Sequence, residues 1–307
     1  MIDIVIDIPE ELAETQIEYN GEAGRAFVEA LPGRAAEFLE RWSLRLAGPS
    51  MHGVASLVLP VRRADGTPAA LKLQLLDEES EGEPLALRAW GGDGVVRLLE
   101  HDAPTGSLLL ERLDSSRHLS AVADAREATR ILAGLLARLT AAPAPAGLRR
   151  LGDIAAQMLD EAPRAARSLA DAGQRRLLLD CAAAVREVAG EPGDRLLHWD
   201  LHYDNVLAGE REPWLVIDPK PLAGDPGFDL MPALRNRFDP AEVLWRFDLM
   251  TEALGMDGAR DRAAAWTLGR VLQNALWDVE DEETALDEDQ VSIARSLLAR
   301  LGGARQA

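Results

Sequence analysis

Cysteine is nearly missing: Cys181 is the single one in 307 residues, so no disulfide can form within the chain. It sits in the apolar stretch Cys181-Ala182-Ala183-Ala184, where a buried thiol is expected rather than a reactive one. Positive charge is scarce as well. Lys and Arg number 33 against 52 Asp and Glu, a formal net charge of -19. Such a surface repels phosphate backbones and anionic lipid heads, so neither nucleic acid nor a membrane surface is expected as a partner. It attracts cations, small cationic molecules among them. No apolar run approaches the roughly 18 residues that a membrane span needs. Met1-Ile2-Asp3-Ile4-Val5-Ile6-Asp7 carries acids where a secretion signal carries bases. A monomeric cytoplasmic protein is the expectation.

What is present is enough apolar residue, 47% of the chain, for one large domain or two lobes sharing a cleft. Residues 22 to 46 read as two short helices broken at Leu31-Pro32-Gly33, the second with Phe38, Leu39, Trp42 and Leu46 at helical spacing. Strands follow at Val54 to Val61 and Ala69 to Leu76, joined by the turn Ala64-Asp65-Gly66-Thr67, a hairpin signal. Residues 80 to 90 read as helix, and Val95 to Glu100 and Ser107 to Leu113 as strands. From about 121 the chain is Ala/Leu/Arg-rich helix, interrupted by a proline-bearing loop at 141–147 and by β-rich pieces within 195–218. No internal repeat occurs. The expected organisation is an α+β fold of two parts, a small β-rich N-terminal lobe (1–113) and a larger helical lobe (114–307).

The chemistry concentrates in His198-Trp199-Asp200-Leu201-His202-Tyr203-Asp204-Asn205. His198, Asp200 and Asn205 stand at the spacing of a protein-kinase catalytic loop, and Asp218 ends the apolar strand Trp214-Leu215-Val216-Ile217. Phosphoryl transfer needs an acceptor-only carboxylate beside the attacking hydroxyl, which Asp200 can supply. It also needs oxygen ligands for Mg²⁺ on the phosphates, which Asn205 and Asp218 can offer. A polar turn explains one or two such residues but not the spacing together with the flanking strands. A second reading notes that His198, Asp200, His202 and Asp204 alternate, and on one strand would project together as the ligands of a metal-dependent hydrolase; it leaves Asn205 and Asp218 without a role.

The N-terminal half supplies partners for a kinase. Lys72, between Leu71 and Leu73, is the candidate to hold ATP phosphates, with Glu83 as its ion-pair partner and Glu79 as the competitor. His52-Gly53 lies just before the first strand, where kinases place a glycine-bearing loop over the phosphates. Glu111 to Leu113 ends at the change of composition, where an extended segment can face adenine with its main chain.

With these residues in place, the sequence resembles the aminoglycoside phosphotransferases, within them the streptomycin 6-phosphotransferase and hydroxyurea phosphotransferase branch. The likeness runs through Glu40-Arg41-Trp42, Leu71-Lys72-Leu73, Ala86-Leu87-Arg88-Ala89-Trp90, Leu109-Leu110-Glu111-Arg112-Leu113, His198-Trp199-Asp200-Leu201-His202, Ile217-Asp218-Pro219-Lys220-Pro221 and Gly224-Asp225-Pro226-Gly227-Phe228-Asp229-Leu230. It implies a protein-kinase-like bilobal fold with ATP and Mg²⁺ in the cleft, Asp200 as catalytic base, Lys72 at the phosphates with Glu83 orienting it, and Asn205 and Asp218 on the metal. It implies phosphorylation of an antibiotic hydroxyl, on an aminoglycoside of the streptomycin type, giving resistance by inactivation. Hydroxyurea, another antibiotic or a small metabolite is the alternative acceptor, and a non-catalytic nucleotide-binding module is the reading without turnover. Two departures stand out: Trp199 where antibiotic kinases often carry Gly, and Pro219-Lys220 where protein kinases carry Phe-Gly. The proline predicts a segment that does not flip.

Acceptor choice is expected in the helical lobe, at Asp225, Asp229, Asn236, Gln273, Asn274 and Trp277. Carboxylates there suit a guanidinium- or amine-bearing substrate. Asp225 also fits an Asp-Pro-Gly turn that caps a helix, and the acidic run Asp278 to Asp289 reads as a solvated loop.

Overall fold

The computed structural model describes residues 6–304; residues 1–5, which hold most of the acid-rich start, lie outside the described residues, as do 305–307. The chain forms two compact units, Met1–Gly92 with Val96–Asp114, and Asp93–Val95 with Ser115–Ala307. The first contains α1 (Glu10–Arg41), β1 (Arg45–Leu46), β2 (Met51–His52), β3 (Ser56–Arg62), β4 (Pro68–Gln74), α2 (Glu83–Trp90), β5 (Leu98–Asp102) and β6 (Ser107–Glu111). Its antiparallel sheet has the order β1-β3-β4-β6-β5, with β2 also on β3.

The β3–β4 hairpin turns at Asp65-Gly66. Gly66 takes φ 86°, and Asp65 Oδ1 accepts the Thr67 N–H at 2.9 Å. Alternation then sorts the two strands by face: Leu57, Leu59, Val61, Leu71 and Leu73 join Leu31, Ala35, Phe38 and Leu39 of α1 in one buried core. That core also explains a difference from the sequence reading. The helix does not break at Pro32, which lies inside α1; the non-helical residue is Gly21, at φ 54°, ψ -123°. A proline forfeits one helical hydrogen bond, but the buried stripe Leu31–Ala35–Phe38–Leu39 carries the helix through it. The strand expected from Val54 begins at Ser56, because Gly53 to Ser56 closes a turn, Gly53 N–H donating to Ser56 O at 3.0 Å.

In the second unit, β7 (Asp114–His118) starts at the border. It is followed by α3 (Ala125–Thr140), β8 (Arg149–Arg150), α4 (Leu151–Ser168), α5 (Ala172–Val188), β9 (Arg195–Leu197), β10 (Val206–Ala208), β11 (Leu215–Val216), β12 (Leu222–Gly224), α6 (Leu230–Arg235), α7 (Val243–Ala253), α8 (Arg260–Glu280) and α9 (Glu288–Ala304). Asp124 and Asp171 cap α3 and α5, accepting first-turn N–H groups. α8 is buried without a break from Ala263 to Leu272 and packs on α4, α5, α6 and α9, so this one helix is the axis of the unit's core. Two short sheets, β8-β12-β9 and β11-β10-β7, flank the segment 198–205. β7, β8 and β12 carry little apolar alternation, and pairing alone makes them strands.

Candidate active site

β9 delivers the chain to His198, and β10 takes it away after Asn205. The loop between is hung from one buried carboxylate: Asp229 Oδ2 accepts the His198 N–H and Oδ1 the Trp199 N–H, each at 2.7 Å. Burial pushes the Asp229 carboxyl up to about 6, against the pull of those two N–H groups and of Arg270. His198 is fully buried too, and burial lowers its imidazole to about 4. The ring is therefore neutral near pH 7. Its Nε2–H donates to Ile217 O at 3.0 Å, and Nδ1 accepts the Asp200 N–H at 3.3 Å. The histidine thus braces the loop through both ring nitrogens.

Trp199 holds φ 71°, in the left-handed region that favours glycine. A bulky residue stays in that conformation only when its surroundings over-determine it. Its ring stacks on Trp277 at 6.2 Å and meets Phe228 edge-on at 5.6 Å. The Arg149 and Arg270 guanidinium carbons lie 4.5 and 4.9 Å from its centroid.

Asp200 follows directly, with its side chain part-exposed. His202 Nε2 and Lys220 Nζ reach the same oxygen, Oδ2, at 3.9 and 4.0 Å. Asn205 Nδ2 donates to Asp200 O at 2.9 Å, which fixes the amide and leaves Oδ1 as its acceptor. Val206 pairs with Val216, and Ile217 N–H donates to Asn205 O at 2.9 Å, so Asp218 emerges beside Asn205. An amide oxygen and a carboxylate are the hard-oxygen donors that Mg²⁺ takes together with waters and phosphates; the pair fits that ion. The hydrolase arrangement does not form. His198, Asp200, His202 and Asp204 lie on a loop and a 3₁₀ turn (Tyr203–Asn205) rather than one strand face, and among the described residues no group of three or more His, Cys, Asp or Glu is placed to hold a metal.

In the first unit Lys72 does not face solvent. It is buried, and its Nζ donates to Glu83 Oε1 and Oε2 at 2.9 and 2.8 Å, while Gln74 Nε2 donates to Oε2 at 3.0 Å. Glu83 opens α2 and is itself buried, so helix and strand hold the two charges in register. His52 sits 3.7 Å from Glu11 Oε2, and Gln16 Nε2 donates to Val54 O at 3.4 Å; α1 therefore anchors the turn at Gly53. Glu111 ends β6, its N–H donating to Arg97 O at 2.9 Å and its Oε2 accepting the Arg97 N–H at 3.2 Å. Leu113 is buried.

Within the second unit a recess of about 520 Å³ opens beside Asp200. Of the six residues expected to choose the acceptor, Asn236, Asn274 and Trp277 line it, whereas Asp225, Asp229 and Gln273 do not. Asp229 is occupied beneath the loop. Asp225 is buried in a capping turn, with Oδ1 accepting Gly227 N–H at 2.8 Å and Oδ2 accepting Arg262 Nε–H at 2.7 Å. The sequence reading missed Arg235, Arg270, Asp278, Asp289 and Gln290, all of which line the recess. The acidic run is a solvated loop at its centre, residues 281–285 being exposed, but its two ends are walls. The helical spacing of Asp278 from Asn274 was the available signal. Asp278 Oδ2 and Gln290 Oε1 are buried with no hydrogen-bond partner, and burial followed by the Asp287 charge raises the Asp278 carboxyl.

Residues 41–282 match the family described as aminoglycoside/hydroxyurea antibiotic resistance kinase. The chain is 67% identical over 303 residues to a hydroxyurea phosphotransferase of Kitasatospora aureofaciens, covering 98% of this chain and 88% of that one. It is 58% identical over 301 residues to a streptomycin 6-kinase of Streptomyces glaucescens, covering 95% and 97%. A thermostable mutant of aminoglycoside phosphotransferase APH(4)-Ia, solved in ternary complex with AMP-PNP and hygromycin B, superposes with a TM-score of 0.58 over 86% of this chain and 97% of that one, at 13% identity. Identity so low speaks to the fold alone, which is kinase-like and α+β. On the family match and on relatives that align along nearly its whole length, the chain belongs to the aminoglycoside/hydroxyurea antibiotic resistance kinases.

Proposed function

We propose that the protein transfers the γ-phosphoryl group of ATP to a hydroxyl of an aminoglycoside of the streptomycin type, and so inactivates it. The recess carries this choice of acceptor. Its volume of about 520 Å³ lies in the range of sites for drug-sized ligands, with Asp200 on its wall. Asp278 and Gln290 line it, and each has a buried acceptor oxygen without a hydrogen-bond partner. Buried acceptors without donors are unfavourable, and a guanidinium or ammonium group supplies the missing donors with charge assistance.

Asp200 accepts the proton of the hydroxyl as its oxygen bonds to phosphorus; the bond from phosphorus to the β-phosphate oxygen breaks, and its electron pair leaves with ADP. Lys72, steadied by Glu83, donates to the phosphates of ATP. The His52-Gly53 turn covers them, and the main chain from Glu111 to Leu113 faces adenine. Asn205 Oδ1 and Asp218 would hold Mg²⁺, which when bound neutralises phosphate charge. The Asp229 clamp and the Trp199 stack keep Asp200 aimed while this happens. No helix among the described residues is long and apolar enough to cross a membrane, and the reading places the enzyme in the cytoplasm, where ATP is supplied.

The name and the higher identity of the Kitasatospora relative favour hydroxyurea as a second reading, although a molecule of a few heavy atoms leaves most of the recess unfilled. An ATP-coupled assay over streptomycin, other aminoglycosides and hydroxyurea, with the phosphate located on the product by NMR, separates them. Streptomycin should exceed hydroxyurea in kcat/KM by at least tenfold, on the order of one charge-assisted hydrogen bond. The reverse order would transfer the function to hydroxyurea, and nucleotide binding without turnover on any acceptor would leave a binding module.

A further inference from the structure

We propose that Lys220 is a further catalytic residue, whose ammonium group contacts the phosphoryl group as it passes to the acceptor oxygen beside Asp200. This rests on the phosphotransferase reading and not on which acceptor is used.

The main chain itself brings Lys220 to this place. Asp218 adopts φ 57°, turning the strand end back, and Pro219 fixes the next φ. The Lys220 N–H then donates to His198 O at 3.1 Å, which ties the segment to the loop that carries Asp200. From there Nζ stands 4.0 Å from Asp200 Oδ2, and the side chain is 39% exposed. Lys72 is the contrast: its side chain is 6% exposed, locked against Glu83 at 2.8 Å. One lysine is buried against a glutamate, and the other is part-exposed beside the proposed catalytic carboxylate.

A separation of 4.0 Å is too long for a direct hydrogen bond. It leaves room for one oxygen at about 2.8 Å from each group, which is where a hydroxyl bonded to Asp200 places its oxygen. In a reactive pose phosphorus lies roughly 3–3.5 Å from that oxygen, which brings the peripheral phosphoryl oxygens within reach of Nζ. Those oxygens carry the negative charge of the transition state. Asp200, Asp204 and Asp218 concentrate negative charge here, and a cation beside Asp200 on the acceptor side lowers the repulsion met by an incoming phosphoryl group. Lys220 supplies it. The ammonium keeps its proton throughout; the hydroxyl proton goes to Asp200, the new O–P bond forms, and the electron pair of the broken P–O bond stays with ADP.

The test compares Lys220→Met and Lys220→Arg with the wild type in kcat, in KM for streptomycin, in Kd for Mg-AMP-PNP by calorimetry, and in thermal unfolding. Lys220→Met should lower kcat about 100-fold, the loss typical of one electrostatic transition-state donor. Its KM for the acceptor, its Kd for Mg-AMP-PNP and its Tm should stay close to wild type, and Lys220→Arg should regain at least tenfold of the loss. A kcat for Lys220→Met within threefold of wild type overturns the proposal. So does a fall in AMP-PNP affinity that accounts for the lost rate, which would assign Lys220 to nucleotide binding instead. Should streptomycin not be a substrate, the acceptor reading fails by itself, and the same comparison on Mg²⁺-dependent hydrolysis of ATP to water decides the role of Lys220.

Discussion

His198, at the head of the candidate catalytic loop, and Asp229 beneath it are both buried, and their titrations oppose one another. In the folded protein His198 takes a proton only at about 4, whereas its ordinary value is 6.5. The unfolded chain is therefore protonated first, and stability falls as pH drops from 6.5 towards 4, by something on the order of 3 kcal/mol. Asp229 binds its proton at about 6 when folded and at 3.8 when unfolded, so acidification from 6 to 3.8 favours the folded state. His198→Asn should remove the first slope and leave the second. Urea midpoints between pH 4 and 7 should then rise on acidification in the variant while the wild type changes little, and parallel curves would contradict the assignment. Asp200→Asn should lose about 10²-fold or more in kcat with AMP-PNP affinity kept, read by calorimetry beside turnover. Asp200, Asn205 and Asp218, the residues proposed for base and metal, could be picked out in the sequence because phosphoryl transfer calls for such side chains at such a spacing. The work of Asp229 was not, since accepting two backbone N–H groups some 30 residues away leaves no local pattern.

Among the elements, α1 shows where local reading succeeds and fails. Its apolar stripe was legible; its break was not, because a proline outweighs a glycine in any local rule. A Cβ at Gly21 would meet nothing within 4 Å, so Gly21→Ala should lose about 1–3 kcal/mol through backbone strain alone. Pro32→Ala, in a helix already formed, should stabilise or do nothing; denaturant melts of the two variants check the contrast. Along α8 the opposite holds. Its inward face is fixed by packing, but Asn274, Trp277 and Asp278 reach the recess, and only tertiary structure reveals which polar residues of a mostly buried helix do so. Asp278→Asn should raise KM for streptomycin about tenfold and leave KM for ATP unchanged. Equal KM values in variant and wild type would remove Asp278 from acceptor binding.

The whole chain is acidic, at -19, and a cationic acceptor should be drawn to it over a Debye length of about 10 Å at 0.1 M salt. Raising the salt to about 0.5 M should therefore increase KM several-fold for streptomycin and leave a neutral acceptor such as hydroxyurea unaffected, a difference that steady-state kinetics reads directly. The kinase class was legible because its machinery spans the chain. The acceptor was not, since relatives at 67% and 58% identity carry different acceptors in their names.

The path of the chain between the two units has a practical outcome. Asp93–Val95 belongs with the second unit although first-unit residues lie on both sides of it. Val216 N–H donates to Gly94 O at 2.9 Å, Val95 bridges Val216, and Arg138 pairs with Asp93 and Glu212. These three residues back the strand that ends two positions before Asp218. The backbone crosses at 92/93, 95/96 and 114/115, so no single scission separates the units. An enzyme split after Asp114 to make a two-fragment genetic reporter assigns that backing to the other fragment, and reassembly must restore it before Asp218 is set.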